Sequence, residues 1–181
     1  MYVWGRLLRV ALTSKSRGAY RLGEESRLSF RCLPSDIDSN IHLNNARYMM
    51  LADLGRIDLF LRAGLLGLAR RNKWAPMMGG VQSVYVREIR LWRRFDVLSS
   101  IETWEGTQVI GRHRFVLENG ETAALIMTTA GVYDVPNRRF LAIDEVVQAL
   151  GARVRPRAPN AAEAEFMGSH GRLRALAKSL R

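Results

Sequence analysis

Residues 34–56 limit the possible folds of this sequence more than any other stretch. Their first half alternates polar and apolar residues, and their second half repeats apolar residues at helical spacing. If the first half is extended, its polar side chains all point to one side. Asn44 or Asn45 can cap the helix that follows. The pattern therefore predicts that a carboxylate, an amide and an imidazole lie at the N-terminus of an apolar helix.

The alternating polar residues belong to types that carry out acid–base chemistry. They are Asp36, Asp38, Asn40, His42 and Asn44. A helix N-terminus offers free N–H groups and a positive partial charge, which suit an oxyanion or an anionic ligand. Asx residues before a helix commonly serve only as turns and caps, so the spacing alone names no reaction. A purely structural hydrogen-bonding role for His42 is equally open.

The helix is predicted over about residues 45–64 and is apolar almost all round. A helix of this kind is buried rather than laid on a surface. Its few charges can pair locally, Asp53 with Arg56 and Asp58 with Arg62. We expect a glycine, Gly64 or Gly67, to mark its end or a kink.

Strands are predicted on both sides of this helix. One covers residues 26–33, residues 70–80 are predicted to form a loop, and four more strands cover 81–92, 97–104, 107–118 and 122–133. The last two are joined by Asn119-Gly120, the strongest short hairpin signal, and Gly106 turns the chain between the middle two. We therefore expect the four to form an antiparallel meander. A short helix over 144–150, a linker over 153–160 and a basic helix within 161–180 follow.

A long buried helix beside one sheet should be wrapped by that sheet, so the fold class is α+β. The sheet has a second face and edges that need covering, and we expect self-association. The single cysteine, Cys32, allows no intrachain disulfide and falls in phase with the apolar residues of its strand. It is therefore predicted to be a core thiol in a reducing, cytoplasmic setting.

The formal net charge of +11 is concentrated at the two ends of the chain. The N-terminal arm, residues 1–21, carries +5, the C-terminal tail, residues 151–181, carries +5, and the body between them carries +1. Basic arms suit anionic lipid headgroups, nucleic acid or an acidic protein. Nucleic-acid binding is not favoured, because the body is near neutral and shows no aromatic-basic strand motif.

The N-terminal arm is predicted to form a short amphipathic helix. Its shared apolar face is Trp4, Leu7, Leu8 and Ala11. Contact with a membrane surface, at the inner face of the membrane, and packing against its own domain are equally open. Arginines interrupt the apolar residues, so no signal peptide is predicted, and no uncharged run is long enough for a transmembrane helix.

The residues described so far resemble the hotdog-fold acyl thioesterases of the 4-hydroxybenzoyl-CoA thioesterase superfamily. The resemblance covers roughly residues 24–140 and rests on a strand, D-x-D-x-x-x-H-x-N-N-x-x-Y, a buried helix and four strands. Residues 36–45 are similar to the catalytic hotdog of plant acyl-acyl carrier protein thioesterases. The basic N-terminal helix and the D-L-G-R sequence after the motif resemble the thioesterase superfamily member six group. The resemblance implies a hotdog domain over residues 22–150, with the arm and the tail as extensions.

The resemblance also implies roles for single residues. Asp38 would be the catalytic carboxylate, accompanied by Asn40 and His42, and the Asn45 N–H would donate to the oxyanion. Glu88 is the candidate for a further catalytic glutamate, although it could instead be a solvated strand residue paired with a neighbouring arginine. The residues expected to bind substrate are Asn44, Tyr48, Met49, Arg87 and Arg90.

The function that follows from the resemblance is hydrolysis of acyl thioesters of CoA or acyl carrier protein, without a metal or cofactor. The plant enzymes carry two hotdogs in one chain, so the second copy would come from a partner in a dimer or tetramer. The acyl chain would lie along the buried helix. The alternative is a non-catalytic acyl- or lipid-binding hotdog attached to a membrane. A hotdog hydratase fits less well, because the N-N-x-x-Y pattern is typical of the thioesterases.

Overall fold

The computed structural model describes residues 3–180, which form one antiparallel sheet packed against a central helix. Residues 1, 2 and 181 of the arm and tail lie outside the described residues. The helices are α1 (Trp4–Thr13), α2 (Asn45–Arg62), α3 (Leu65–Asn72), α4 (Ile143–Ala149) and α5 (Ala161–Ser179). The strands are β1 (Ser26–Arg31), β2 (Trp74–Tyr85), β3 (Arg94–Glu105), β4 (Gln108–Leu117), β5 (Thr122–Asp134) and β6 (Arg139–Phe140).

The central helix α2 begins at the predicted residue and ends two residues before the predicted end. Asn44 is its N-cap, and Gly64 follows its end with a left-handed φ of +77°. Leu51 and Leu54 are fully buried against the sheet, in a core that also contains Cys32. Burial raises the pKa of the Cys32 thiol to about 11, as expected for a packing residue rather than a nucleophile.

The sheet has the order β1-β3-β4-β5-β2, with β6 added to β5. β3, β4 and β5 form the predicted meander, and Gly106 and Gly120 turn the chain with positive φ. The prediction that the preceding strand belongs to this meander is wrong, because β2 crosses to pair with β5 and β1 pairs with β3. Both β1 and β2 are thus edges of the main sheet.

The predicted loop over residues 70–80 is also wrong, since the chain forms α3 and then enters β2 at Trp74. Pro76 and Gly79 suggested a loop, yet both are tolerated here because β2 is an edge strand with a register shift between Met78 and Gly80. β2 ends at Tyr85. The N–H groups of Val86 and Arg87 still donate to the Ala123 carbonyl of β5, and Ile89 and Arg90 then pair with the segment before α2.

The N-terminal arm packs onto the domain at both ends of α2. Val3, at the N-cap of α1, and Val10 are buried in the core, whereas Trp4, Leu8 and Leu12 are exposed. Of the predicted apolar face, Leu7 packs against the core, while Trp4, Leu8 and Ala11 are exposed. Two arginines of the arm reach buried acids: Arg6 pairs with Asp36, and Arg17 pairs with Asp58, each at 2.6 Å. These acids lie before the start and near the end of α2.

Asp58 is fully buried and is the shared partner of an ion cluster whose arginines are partly exposed. Arg62 pairs with it at 3.1 Å, as predicted, and the Ser26 hydroxyl donates to it at 2.6 Å. The second predicted pair, Asp53 with Arg56, is present at 2.5 Å.

The C-terminal tail also lies against the sheet. Arg157 joins Glu102 of β3 to Glu163 of α5, at 2.9 Å and 2.6 Å. The ring of His170 packs over the glycines at the register shift of β2. No helix among residues 3–180 is long and apolar enough to cross a membrane.

Candidate active site

The polar stretch before α2 folds into a tight hairpin. A single 3₁₀ turn covers Pro34–Asp36, and residues 37 and 43 then form a β-bridge. The Asp38 N–H donates to the His42 carbonyl at 3.1 Å, and Ile41 adopts a φ of +60° in the turn. The expectation that all the alternating polar side chains face one way is therefore wrong, because the stretch is not extended.

Asp36 points into the protein and is held by α1. Its side chain is 2% exposed, and Arg6 donates to both carboxylate oxygens, at 3.0 Å and 2.6 Å. The Leu33 N–H donates to the same carboxylate at 2.9 Å, and the Asn44 N–H donates to the Asp36 carbonyl at 2.9 Å. Asp36 thus ties α1 and the start of α2 to the base of the hairpin, two residues before Asp38.

The sequence pattern assigns no role to Arg6 or to a buried Asp36. The two residues are 30 positions apart, so no local periodicity links them. The one available signal is charge: an arm with five cations and no acids precedes a motif with two closely spaced acids. Buried acids need a cation, which makes such an arm a candidate source.

Asp38 and His42 face each other across the hairpin and remain accessible. Asp38 Oδ1 lies 3.5 Å from His42 Nδ1, and the side chains are 23% and 29% exposed. The Asn40 N–H donates to the same Asp38 oxygen at 2.9 Å, while the Asn40 side chain is exposed in the turn. The structure therefore brings these three predicted site residues together on one hairpin.

The start of α2 supplies a backbone donor directly after this hairpin. Asn44 Oδ1 accepts the Ala46 N–H at 2.9 Å, so its amide oxygen serves as the helix cap. The Asn44 carbonyl accepts the Arg47 N–H at 2.8 Å. Within residues 3–180 the Asn45 N–H has no hydrogen-bond partner. This N–H is available for an anion or a developing oxyanion.

Tyr48 and Met49, in the first turns of α2, have different surroundings. Tyr48 is buried, and its ring packs against Tyr85 and Phe115 at centroid distances of 5.0 Å and 4.8 Å. Burial raises the pKa of the Tyr48 hydroxyl. Met49 is half-buried and packs against the same core. Tyr48 is thus a wall of the core, whereas Met49 keeps an accessible surface.

A concave surface that carries four arginines adjoins the hairpin, and we call it the arginine surface. It has a volume of about 650 Å³. The charged residues that line it are Arg87, Glu88, Arg90, Arg93 and Arg94 of one segment, and Glu118 and Glu121 between β4 and β5. The backbones of His42 and Arg90 form a β-bridge, which places this surface beside the Asp38–His42 pair. The predicted substrate-binding arginines therefore lie on one face near the hairpin.

Glu88 pairs with Arg90, and Arg87 pairs with Glu121 at 2.8 Å. Among the described residues Glu88 makes no hydrogen bond or ion pair with Asp38 or His42. Residues 3–180 contain no group of three or more His, Cys, Asp or Glu side chains arranged to hold a metal ion.

The comparisons with known proteins assign the chain to a family. Residues 32–150 match the family model described as the thioesterase-like superfamily. Protein THEM6 of Xenopus laevis is 32% identical over 97 residues, which are 53% of this chain and 47% of that protein. Protein THEM6 of Danio rerio is 30% identical over 97 residues, 54% of this chain and 48% of that protein. The chain spans about half the length of the curated relatives it matches.

Solved structures show the same fold. The probable thioesterase YbaW of Escherichia coli has a TM-score of 0.65 at 21% identity, covering 68% of this chain and 95% of its own. A hypothetical Staphylococcus aureus protein in complex with CoA has a TM-score of 0.61 at 14% identity, covering 79% and 94%. At such identities the likeness shows the hotdog fold alone. Since the family model spans the hairpin, α2 and strands β2 to β6, the chain belongs to the thioesterase-like superfamily.

Proposed function

We propose that this chain hydrolyses acyl thioesters of CoA or acyl carrier protein. The observation that carries the proposal is the grouping of Asp38, His42 and the Asn45 N–H at the start of α2. Membership of the thioesterase-like superfamily supports the reaction class. The residues that would act, and the acyl group they would act on, are our inference from the geometry.

Hydrolysis adds a water oxygen to the thioester carbonyl carbon and expels a thiolate. In the proposed mechanism the Asp38 carboxylate takes a proton from that water or attacks the carbonyl itself. The carbonyl oxygen becomes negative, and the Asn45 N–H donates to it; one such donor is typically worth ~2.7–4 kcal/mol. His42 orients the Asp38 carboxylate from 3.5 Å. The Asn40 amide and the Glu88 carboxylate are further candidates for placing the water.

The arginine surface is our proposed site for the phosphates of CoA. Arginine pairs well with phosphate oxygens. Four arginines and three glutamates line this face, and Arg87 and Arg90 are paired with Glu121 and Glu88, so Arg93 and Arg94 are the first candidates for the phosphates. We expect Arg94→Ala to raise KM for an acyl-CoA about tenfold with little change in kcat. Arg139→Ala, which removes an exposed arginine from β6, is the control. An unchanged KM for Arg94→Ala would contradict the placement of the phosphates at this surface.

The edge strand β2 is the proposed place for a second copy of the chain. Its exposed apolar residues include Met77, Met78, Val84 and Tyr85, and an unpaired edge of this kind readily adds another strand. The phosphopantetheine arm would then enter between subunits. Sedimentation velocity should give a dimer or larger for the wild type and a smaller species for Val84→Lys. A monomeric wild type would contradict this assembly.

The second candidate is a non-catalytic acyl-binding protein at a membrane surface. The exposure of Leu8 and Leu12 on α1, within an arm of charge +5, favours this reading. We expect sedimentation with vesicles containing anionic lipid, and its loss in Leu8→Glu. Equal sedimentation of wild type and Leu8→Glu would rule out this contact.

The deciding experiment measures thiol release from acyl-CoA and acyl carrier protein thioesters of increasing chain length, including an aromatic ester. Asp38→Asn should lower kcat by about 10²-fold or more and leave the circular dichroism spectrum unchanged. Asp144→Asn is the matched control, because its amide oxygen can still accept the Trp104 N–H. Binding without turnover by the wild type would instead support the second candidate.

A further inference from the structure

Two neighbouring turns beside the proposed site each hold a large apolar residue in a backbone conformation that favours glycine. Trp92 has a φ of +64° and Ile41 has a φ of +60°. Bulky and β-branched side chains are the ones least suited to this left-handed region. The two residues are nevertheless 54% and 62% exposed. Neither is therefore kept at its turn by burial in the core.

Hydrogen bonds on both sides hold the turn that carries Trp92. The Arg93 N–H donates to the Arg90 carbonyl at 3.2 Å and closes a β-turn. Trp92 is its third residue, a position where glycine is usual when φ is positive. The Trp92 N–H donates to the Cys32 carbonyl at 2.9 Å, and the Cys32 N–H donates to the Arg93 carbonyl at 2.9 Å. The surrounding backbone thus imposes the conformation in which the indole ring is exposed.

The two turns are connected to each other and to the proposed site. Ile41 lies at the tip of the hairpin, where its N–H donates to the Asp38 carbonyl at 3.1 Å. The next residue, His42, forms a β-bridge with Arg90, at which the turn of Trp92 begins. The backbone therefore links both exposed residues directly to the residues proposed to act on the thioester.

Three arginines beside these turns have no acidic partner. Arg31 on β1 and Arg94 on β3 are directly opposite each other in the antiparallel register, and Arg93 precedes Arg94. Like charges directly opposite each other destabilise a sheet. The acid of this strand pair, Asp96, is paired with Arg27 at 3.1 Å. Across residues 3–180 none of the three arginines forms an ion pair, so their charge is available to an anionic partner.

We call Ile41, Trp92, Arg31, Arg93 and Arg94 the docking patch. Its composition is typical of protein interfaces, whose strongest contacts are rich in tryptophan and arginine. Phosphates alone would neutralise the arginines but would leave the two apolar side chains uncovered. The patch adjoins the arginine surface, a concavity of about 650 Å³ that Arg93 and Arg94 also line. A protein can fill a concavity, whereas a flat bilayer leaves it empty.

We propose that the docking patch binds an acidic protein that carries the acyl group, so that the preferred thioester donor is an acyl carrier protein rather than CoA. This inference rests on the proposed thioesterase function and adds the donor to it. Trp92 and Ile41 pack against apolar side chains of the carrier. The arginines pair with its carboxylates, for which a guanidinium offers two parallel hydrogen bonds. CoA esters remain substrates, because the arginine surface can hold the phosphate of either donor.

The first test compares one acyl group on two donors, dodecanoyl-CoA and an acidic acyl carrier protein loaded with dodecanoate. Trp92→Gly removes the ring at a position whose φ suits glycine, so the variant should keep the fold. We expect KM for the carrier thioester to rise about 30-fold and KM for dodecanoyl-CoA to change less than about twofold. Arg138→Gly, at an exposed left-handed position in the turn before β6, is the matched control and should change neither KM.

The second test removes one charge of the docking patch. Arg31→Gln keeps the Arg31 carbonyl, which accepts from Arg6, and takes away only the cation. It should weaken binding of the unacylated carrier protein about tenfold at low salt and less at high salt. Arg27→Gln, on the same strand, is the control, because Arg27 is already paired with Asp96. Calorimetry measures this binding without turnover. Equal affinities for the two variants would contradict the role of the arginines.

The outcomes separate this inference from the proposed function. An unchanged KM for the carrier thioester in Trp92→Gly would overturn the inference, and so would an equal rise for both donors. Binding of wild type to anionic vesicles through Trp92, without binding to the carrier, would also overturn it and make the patch a membrane contact. In these cases hydrolysis of dodecanoyl-CoA would leave the proposed function standing. If neither ester is hydrolysed but Trp92→Gly weakens carrier binding, the docking patch stands and the proposed hydrolysis fails. Failure of both turnover and carrier binding would overturn both.

Discussion

Two aspartates two residues apart, Asp36 and Asp38, have opposite surroundings. Asp36 is 2% exposed and paired with Arg6, whereas Asp38 is 23% exposed and faces the imidazole of His42. Two histidines repeat the contrast, since His113 is 1% exposed and His42 is 29% exposed. Residue type therefore does not separate the structural groups from the proposed catalytic ones. Burial, and for the acids a cation from the N-terminal arm, separates them.

The ion pairs with buried acids show that the N-terminal arm has a structural role, whether or not it also contacts a membrane. Arg6 and Arg17 reach acids at the two ends of α2, and Arg6 in addition donates to the Arg31 carbonyl at 2.8 Å. A buried carboxylate without a cation is strongly unfavourable. The arm therefore helps to hold the helix whose start carries the proposed oxyanion donor.

The largest effect is expected at Asp58, the most buried of the anchored acids. Asp58→Ala leaves Arg17 and Arg62 without their shared partner, so the free energy of unfolding should fall by about 3–5 kcal/mol. Urea denaturation followed by circular dichroism measures this loss. A loss below about 1 kcal/mol would mean that the arm is not anchored through this site.

A smaller effect is expected at Arg6, and it should extend to the proposed site. Arg6→Gln removes two charge-assisted hydrogen bonds to Asp36, which should cost about 1.5–3 kcal/mol of unfolding free energy. Since Asp36 holds the base of the hairpin, kcat should also fall while KM changes little.

Arg9→Gln is the matched control for Arg6→Gln, because Arg9 is an exposed arginine on the same helix. Denaturation and thioester kinetics on both variants test the link between the arm and the hairpin. The same kcat in the two variants would show that Arg6 does not position the hairpin.

The burial of His113 predicts an effect on stability that is absent at neutral pH and grows as the pH falls. The pKa of His113 falls from 6.5 to about 3 on folding, so below pH 6.5 the unfolded chain takes up a proton that the folded protein refuses. The His113 contribution is therefore complete above pH 6.5 and decreases by about 1.4 kcal/mol per pH unit as the pH falls toward 3. The unfolding free energies of wild type and His113→Leu, compared across this range, measure it. Parallel pH profiles would contradict a buried neutral imidazole.

The parts of the fold that depend on local signals could be predicted from the sequence. The limits of α2 follow from Asn44 and Gly64, and the β4–β5 hairpin follows from Asn119-Gly120. The sheet order could not be predicted, because the pairing of β2 with β5 is set by packing around α2 rather than by any turn. Pro76 suggested a loop, although an edge strand tolerates its missing N–H.

The site was predictable to a similar extent. The short spacing from Asp38 to Asn45 makes these residues neighbours in any fold that reverses the chain there. The burial of Asp36 depends on Arg6, 30 residues away, and on a 3₁₀ turn that breaks the alternation. His113 and Ser99 meet only because β3 and β4 pair in a particular register. Contacts of this kind are fixed by tertiary structure and leave no short-range pattern.

The most direct test of the contrast between the two acids measures kcat and unfolding free energy together for Asp36→Asn and Asp38→Asn. For Asp38→Asn we predict a fall in kcat of about 10²-fold or more, with stability within about 0.5 kcal/mol of wild type. For Asp36→Asn we predict a loss of about 3 kcal/mol of stability, because Arg6 loses its anionic partner. Full activity in Asp38→Asn would contradict the assignment of the chemistry to the open acid.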